Sequence, residues 1–278
     1  IDPGLNRFDA REANTFGTWV TASKNGPPDA SPGLVVHYQI DTSETLGSLW
    51  PWDDVSRRLG KSYLIDWGDL ASDFFSFGAI VRPWQTATLT PGQEIFGYFD
   101  ARDFDPEDWK PEYANEAFNR MTERDGAWMA RILAHFTPEM VRTLARMGDF
   151  TDASHTRYLA DVLEARLERI LDRWLTRLSP IGELRVEGES LCGVDLAAMR
   201  GVRDASRFSY AARLEGGALL PVSAGANGRV CVALPRVGDG RSMRIAVTDG
   251  VAKGPLVATV YDLGARGFQL VGAQRPGS

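Results

Sequence analysis

Two cysteines and three histidines are all that 278 residues contain. Two thiols are too few for a disulfide framework, and Cys192 and Cys231 lack the paired spacing of a zinc site. One disulfide in an oxidising compartment and two buried thiols both fit. His37, His135 and His155 have no second ligand at metal spacing. His37 sits on an alternating strand, His135 in the last turn of a helix where a cation suits the dipole, and His155 at the start of another helix. All three read as structural. No run of about 18 uncharged apolar residues is present, so no membrane-spanning helix is expected, and no charged-then-apolar leader opens the chain. Its first residues, Ile1-Asp2-Pro3-Gly4, lack an initiator Met, which suits a processed product or a fragment. An upstream signal peptide would place it outside the cytoplasm, in the periplasm or cell envelope. No basic stripe exists either: 31 Lys and Arg are scattered among 37 acids for a net charge of −6, which argues against a nucleic-acid partner. Also missing are a Gly-rich phosphate loop, a Gly-x-Ser-x-Gly elbow and the local context of a thiol nucleophile.

What is present is a globular composition, 44% hydrophobic, with room for one large domain or two modest ones. Three textures follow one another. Residues 1 to about 112 are rich in Trp, Pro and Gly, with apolar runs at Gly33 to Ile40, Tyr63 to Trp67 and Phe74 to Val81 that read as short strands between loops and helical turns. Residues 114 to 178 are helical. Thr122 with Asp125 resembles a capping box, and Trp128, Ile132 and Phe136 then repeat at helical spacing. Thr137-Pro138-Glu139 supplies a cap, a first-turn proline and an acid near the positive end of the dipole, with Gly148 past the end. Asp152 or Ser154 caps a third helix, whose Leu159, Val162, Leu163, Leu167, Ile170, Leu171, Trp174, Leu175 and Leu178 form one apolar face. Pro180 and Gly182 end it. The remainder alternates apolar and polar residues between glycines, as in Arg229 to Leu234, Met243 to Val247 and Leu256 to Tyr261. That pattern predicts a small antiparallel β-sandwich.

Chemistry concentrates in Val35-Val36-His37-Tyr38-Gln39-Ile40-Asp41-Thr42-Ser43-Glu44-Thr45-Leu46-Gly47-Ser48, where an apolar run delivers a carboxylate to a polar turn. Upstream lies Trp19-Val20-Thr21-Ala22-Ser23-Lys24-Asn25-Gly26. Together the two segments resemble the catalytic loop and metal-binding Asp of a kinase-like domain. They are more similar still to an uncharacterised bacterial group in which an apolar helix enters an Asp-x-Lys-x-x-Asn loop and a strand ends Ile-Asp-Phe-Gly-Ser-Thr-Leu-Gly-Ser. The block Phe104-Asp105-Pro106-Glu107-Asp108-Trp109-Lys110-Pro111 and the helices after it extend the resemblance over residues 11 to 190.

The resemblance implies Lys24 at the loop lysine and Asp41 at the metal aspartate, with Mg or Mn and ATP as cofactors. It also implies an α+β chain: a mainly helical, kinase-C-lobe-like domain over residues 1–180, followed by the β-sandwich over 181–278. The loop Asp is replaced by Ala22, the Asn by Pro27 and the Phe-Gly by Thr42-Ser43. Asn25 and Asp29 are the substitutes within reach for the lost amide and acid. Alanine cannot orient a hydroxyl or accept its proton, a loss of about 100-fold to 10,000-fold. The expectation is a degenerate kinase-like protein with a binding or structural role. Its alternatives are a metal-dependent phosphotransferase with a rearranged site and a cell-envelope protein that binds glycan or protein through aromatic surfaces.

Two further acidic groups compete with these readings. Asp66 and Asp69 in Ile65-Asp66-Trp67-Gly68-Asp69 read as a strand end and turn rather than ligands. Asp100, Asp103, Asp105, Glu107 and Asp108 read as a solvated loop stapled by Trp109, with calcium binding as the minor option because the spacing does not match an EF-hand. A glycosidase pair among the 37 acids is invisible to sequence.

Overall fold

The computed structural model describes residues 1–21, 33–47 and 52–276. The chain is α+β, every sheet within it is antiparallel, and it divides into two compact units. Unit 1 comprises Ile1–Arg120 and Ala145–Arg166, and unit 2 comprises Met121–Leu144 and Leu167–Ser278.

Unit 1 starts with α1 (Asp2–Leu5) and a hairpin of β1 (Thr15–Thr21) and β2 (Gly33–Gln39). Phe16 and Tyr38 face each other across the hairpin with rings stacked at 5.0 Å, a cross-strand pair of the stabilising kind. Three short helices follow: α2 (Asp53–Arg58), α3 (Trp67–Ser76) and α4 (Glu116–Asn119). The run Tyr63 to Trp67, expected as a strand, is a loop leading into α3. Asp66 accepts hydrogen bonds from the Gly68 and Asp69 amides, so local capping outweighs the β propensity of the aromatic residues. Phe74 to Val81 is not a strand either, since Phe74 and Phe75 complete α3 and Phe77 and Gly78 turn left-handed behind it.

The middle region forms the helices expected of it: α5 (Glu123–Leu133), α6 (Pro138–Arg146) and α7 (Ala153–Trp174). Each start is capped by the anticipated side chain. Asp125 accepts from the Thr122 amide and hydroxyl, Thr137 Oγ1 from the Met140 amide, and Asp152 from the Ser154 amide. Within unit 1, Leu159, Ala160 and Val162 of α7 pack with Phe96, Phe99 and Ala145, against which Leu46, Phe150 and Tyr158 lean.

Unit 2 continues with β3 (Ile181–Glu187), β4 (Ser190–Asp195), α8 (Leu196–Met199), β5 (Ala211–Leu214), β6 (Leu219–Leu220) and β7 (Val222–Ala224). It closes with β8 (Arg229–Ala233), β9 (Arg241–Thr248), β10 (Leu256–Asp262) and β11 (Phe268–Gln274). One sheet has the order β11-β10-β9-β5-β6 and the other β3-β4-β8-β7. The period-2 pattern places Met243, Ile245 and Val247 with Leu256, Ala258 and Val260 on a buried face. These residues share one cluster with Ile181, Leu191 and Val232 of the other sheet. Cys192 and Cys231 lie directly opposite on β4 and β8 and form a disulfide.

Trp128 and Ile132 of α5, and Phe136 just past its end, are exposed, and the buried side of α5 consists of Gly126, Ala127 and Ala130. The reason is close approach: a Cβ at Gly126 would lie 2.3 Å from the Trp174 ring. Gly126→Ala gains about 1 kcal/mol in helix propensity but overpacks a rigid indole at a cost of about 1–3 kcal/mol. A lower urea midpoint is therefore expected, and a midpoint equal to or above the parent's would contradict this packing.

Candidate functional site

The turn after β2 presents Asp41 with φ 54, a left-handed conformation that aspartate tolerates better than most residues. Its side chain is exposed, and Oδ1 accepts hydrogen bonds from the Ser43 hydroxyl at 2.6 Å and the Ser43 amide at 3.4 Å. Those two bonds hold the carboxyl below its ordinary range. The peptide chain beside it is pinned from within: buried Arg7 donates to the Ile40 carbonyl at 2.8 Å. Lys24, Asn25 and Asp29, with Ala22 and Pro27, lie outside the described residues.

Of the Thr45-Leu46-Gly47-Ser48 motif, Ser48 lies outside the described residues and the other three serve packing. Thr45 Oγ1 donates to the Thr42 carbonyl, the Leu46 amide donates to the Leu5 carbonyl, and the Leu46 side chain joins the unit 1 cluster. Gly47 has φ 93, and a Cβ there would fall 1.8 Å from the Phe96 carbonyl oxygen. Only glycine fits this seat.

Asp66 and Asp69 are likewise consumed by structure. Besides capping α3, Asp66 takes the Lys110 ammonium at 2.9 Å, which holds its carboxyl below the usual range. Asp69 binds Arg82 at 3.1 Å and accepts from the Ser62 hydroxyl at 2.9 Å. His37 is exposed on β2, His135 lies 3.1 Å from Glu183, and His155 bonds the Gly92 carbonyl at 3.2 Å among Phe96 and Phe150.

A cavity of about 410 Å³ opens in unit 1, and Asp41 is not among its lining residues. Its floor is built from the Arg166 side chain, Phe104, Trp109 and Asn6. The Arg166 guanidinium lies 3.8 Å from the centre of the Phe104 ring and donates to the carbonyls of Gly4 at 3.0 Å, Pro3 at 2.5 Å and Asp100 at 2.7 Å. Trp109 Nε1 donates to Asn6 Oδ1 at 2.9 Å, so the indole staples the acidic loop as the sequence suggests. Around this floor stand Trp84, Lys61, Asp103, Asp105 and Asp108. Asp105 Oδ1 is taken by the Glu107 amide. Among the described residues the side chains of Lys61, Asp103 and Asp108 make no hydrogen bond or ion pair, which leaves two carboxylates and one ammonium for a ligand. Lys61 and Trp84 carry no local motif, and only the acidic loop was visible in sequence. Among the described residues no three His, Cys, Asp or Glu side chains converge so as to hold a metal ion.

Unit 2 holds a strongly perturbed carboxyl. Asp195 is 0% exposed, caps α8 through the Ala198 amide at 2.9 Å and accepts from the Tyr210 hydroxyl at 3.1 Å. Burial, with Asp249 nearby, pushes it up to about 6. A group with no exposed surface meets no substrate, so this shift is a property of stability. Comparison with protein-family models, curated proteins and solved structures yields no match, so the site is judged on its own geometry.

Because the folded pKa of Asp195 lies above the ordinary carboxyl value of 3.8, the folded state binds this proton more tightly than the unfolded chain. The associated stability is present in full below about pH 4 and is lost as pH rises through about 6, an effect of about 2–3 kcal/mol. Asp195→Asn keeps a capping oxygen and cannot ionise. Its unfolding free energy relative to the parent is expected to rise between pH 4 and 7 in urea titrations, and a flat difference would contradict the account.

Proposed function

We propose that the chain is a non-catalytic binding protein: a degenerate kinase-like framework in unit 1, continued by a β-sandwich, that takes a small polyhydroxylated ligand such as a glycan unit in the unit 1 cavity. The observation that carries this reading is the contrast between two carboxylate sets. Asp41 is bound by Ser43 in its own exposed turn, whereas Asp103 and Asp108 line the cavity with Trp84 and Lys61, and among the described residues the side chains of Asp103, Asp108 and Lys61 make no hydrogen bond or ion pair. Sugars are bound by such combinations, because an apolar ring face meets the Trp plane while hydroxyls bridge acceptors and a cation. Residues 15–21, where the resemblance implies a helix entering the loop, form β1, so the proposed framework departs from the family's pattern at this segment.

Tryptophan fluorescence with a panel of neutral oligosaccharides tests the proposal, since Trp84 and Trp109 line the cavity. At least one oligosaccharide is expected to quench or shift the emission saturably. Trp84→Ala is expected to weaken that binding by about tenfold or more, the effect of losing roughly 1.4 kcal/mol of ring contact. Mg²⁺ with ATP is expected to leave the melting temperature unchanged, because a ligand at 100 times its dissociation constant would add about 2.7 kcal/mol. Metal-dependent ATP consumption abolished by Asp41→Ala would overturn the reading in favour of a phosphotransferase using Lys24, Asn25, Asp29 and Asp41.

A further inference from the structure

Unit 2 contains a second cavity, of about 430 Å³, whose lining holds Arg124, Arg131 and Arg275 with Leu178, Ala273, Gln274 and Pro276, and no acidic residue. Two of the arginines come from one face of α5. They are seven residues apart, two helical turns or about 10 Å of rise, so their guanidinium groups reach the same space from one side. The third follows β11 directly.

The hydrogen bonding of the three separates structure from spare capacity. Arg275 donates Nε to the Ser179 carbonyl at 2.9 Å and Nη2 to the Ile181 carbonyl, which fixes its plane at the cavity wall. Arg124 and Arg131 make no hydrogen bond or ion pair among the described residues. The acid next to Arg124, Glu123, is already engaged by Arg173 at 2.9 Å and Arg177 at 3.6 Å, and Glu183 is paired with His135. Elsewhere in unit 2 several arginines have acidic partners, as Arg229 has Glu187 and Arg236 has Glu189 and Asp262. This cavity gathers three cations with no acidic residue in its lining. The cost is visible in the guanidinium groups themselves: burial pushes Arg131 below its ordinary value, and burial together with the Arg131 charge pushes Arg275 down to about 10.

We propose that this cavity is a binding site for a small ligand carrying phosphate or sulfate groups, recognised by Arg124 and Arg131 of α5 and by Arg275 after β11. Guanidinium forks match tetrahedral oxyanions through paired N–H donors, and a low-dielectric wall strengthens each such bond. A dianion would offset the mutual repulsion of three cations that nothing else in the lining neutralises. The cavity exceeds the size of inorganic phosphate and suits a sugar-sized body bearing the anionic group. The site is independent of the unit 1 cavity and of the function proposed for it.

Melting curves and calorimetry on the full chain test this with two probes, pyrophosphate and a sulfated disaccharide, against sodium chloride at matched ionic strength. At least one probe is expected to raise the melting temperature above the chloride control, and the responding probe identifies the source of the oxyanion. Arg124→Gln, at an exposed position that leaves the core untouched, is expected to weaken binding about tenfold or more, and Arg131→Gln likewise. An equal response to chloride, no response to either probe, or full affinity retained in Arg124→Gln would each overturn the proposal.

Discussion

The buried guanidinium of Arg166 is the interaction on which unit 1 depends. A charge removed from water is costly unless its hydrogen-bonding capacity is met, and here it is met by three main-chain carbonyls and two aromatic faces, Phe99 and Phe104. Two of the carbonyls belong to the four-residue helix α1 and the third to a loop. Pro3 and Gly4 lie in the first turn of the chain, and Asp100 follows the Phe96–Phe99 segment. A single side chain from a long helix thus ties the one-turn helix α1 to the loop at Asp100. Removing it would take a donor from three partly buried carbonyls, of which Pro3 keeps the Asn6 amide, at about 1–3 kcal/mol for each acceptor left unsatisfied.

That constraint explains the contrast between the two units. In unit 2 the backbone satisfies itself through antiparallel ladders, and the core follows from alternation along β9 and β10. In unit 1 irregular backbone is satisfied by side chains: Arg7 on Ile40, Arg58 on Tyr63, Asn115 on Ala10 and Arg166 on Pro3, Gly4 and Asp100. Irregular segments held in this way can surround a cavity with varied polar groups, which a ladder of strands cannot. The cavity accordingly sits among these loops, and the turn bearing Asp41 is one more segment fastened by an arginine.

Sequence legibility followed the range of the interactions involved. The starts of α5, α6 and α7 could be read because their caps lie within three residues, and the core face of α7 because Leu159, Val162, Ile170, Leu171 and Leu175 repeat at helical spacing. Tyr63 to Trp67 misled because Asp66 caps the following helix, a choice that composition alone does not decide. On α5 the spacing of Trp128 and Ile132 did not tell which face is buried, since that depends on Gly126 lying against Trp174, a residue from a different helix. The two cavities were hidden for the same reason. The first joins positions from Asn6 to Arg166, and the second joins α5 to the residue after β11.

The most direct test is hydrogen exchange on Arg166→Met, which keeps much of the side-chain volume and removes the charge and its donors. The account predicts faster exchange for unit 1 amides held in turns and loops, such as those of Arg7, Phe99 and Glu112, while the amides of β9 and β10 keep their parental protection. Parental protection of those unit 1 amides in the variant would contradict the claim that this guanidinium organises the unit.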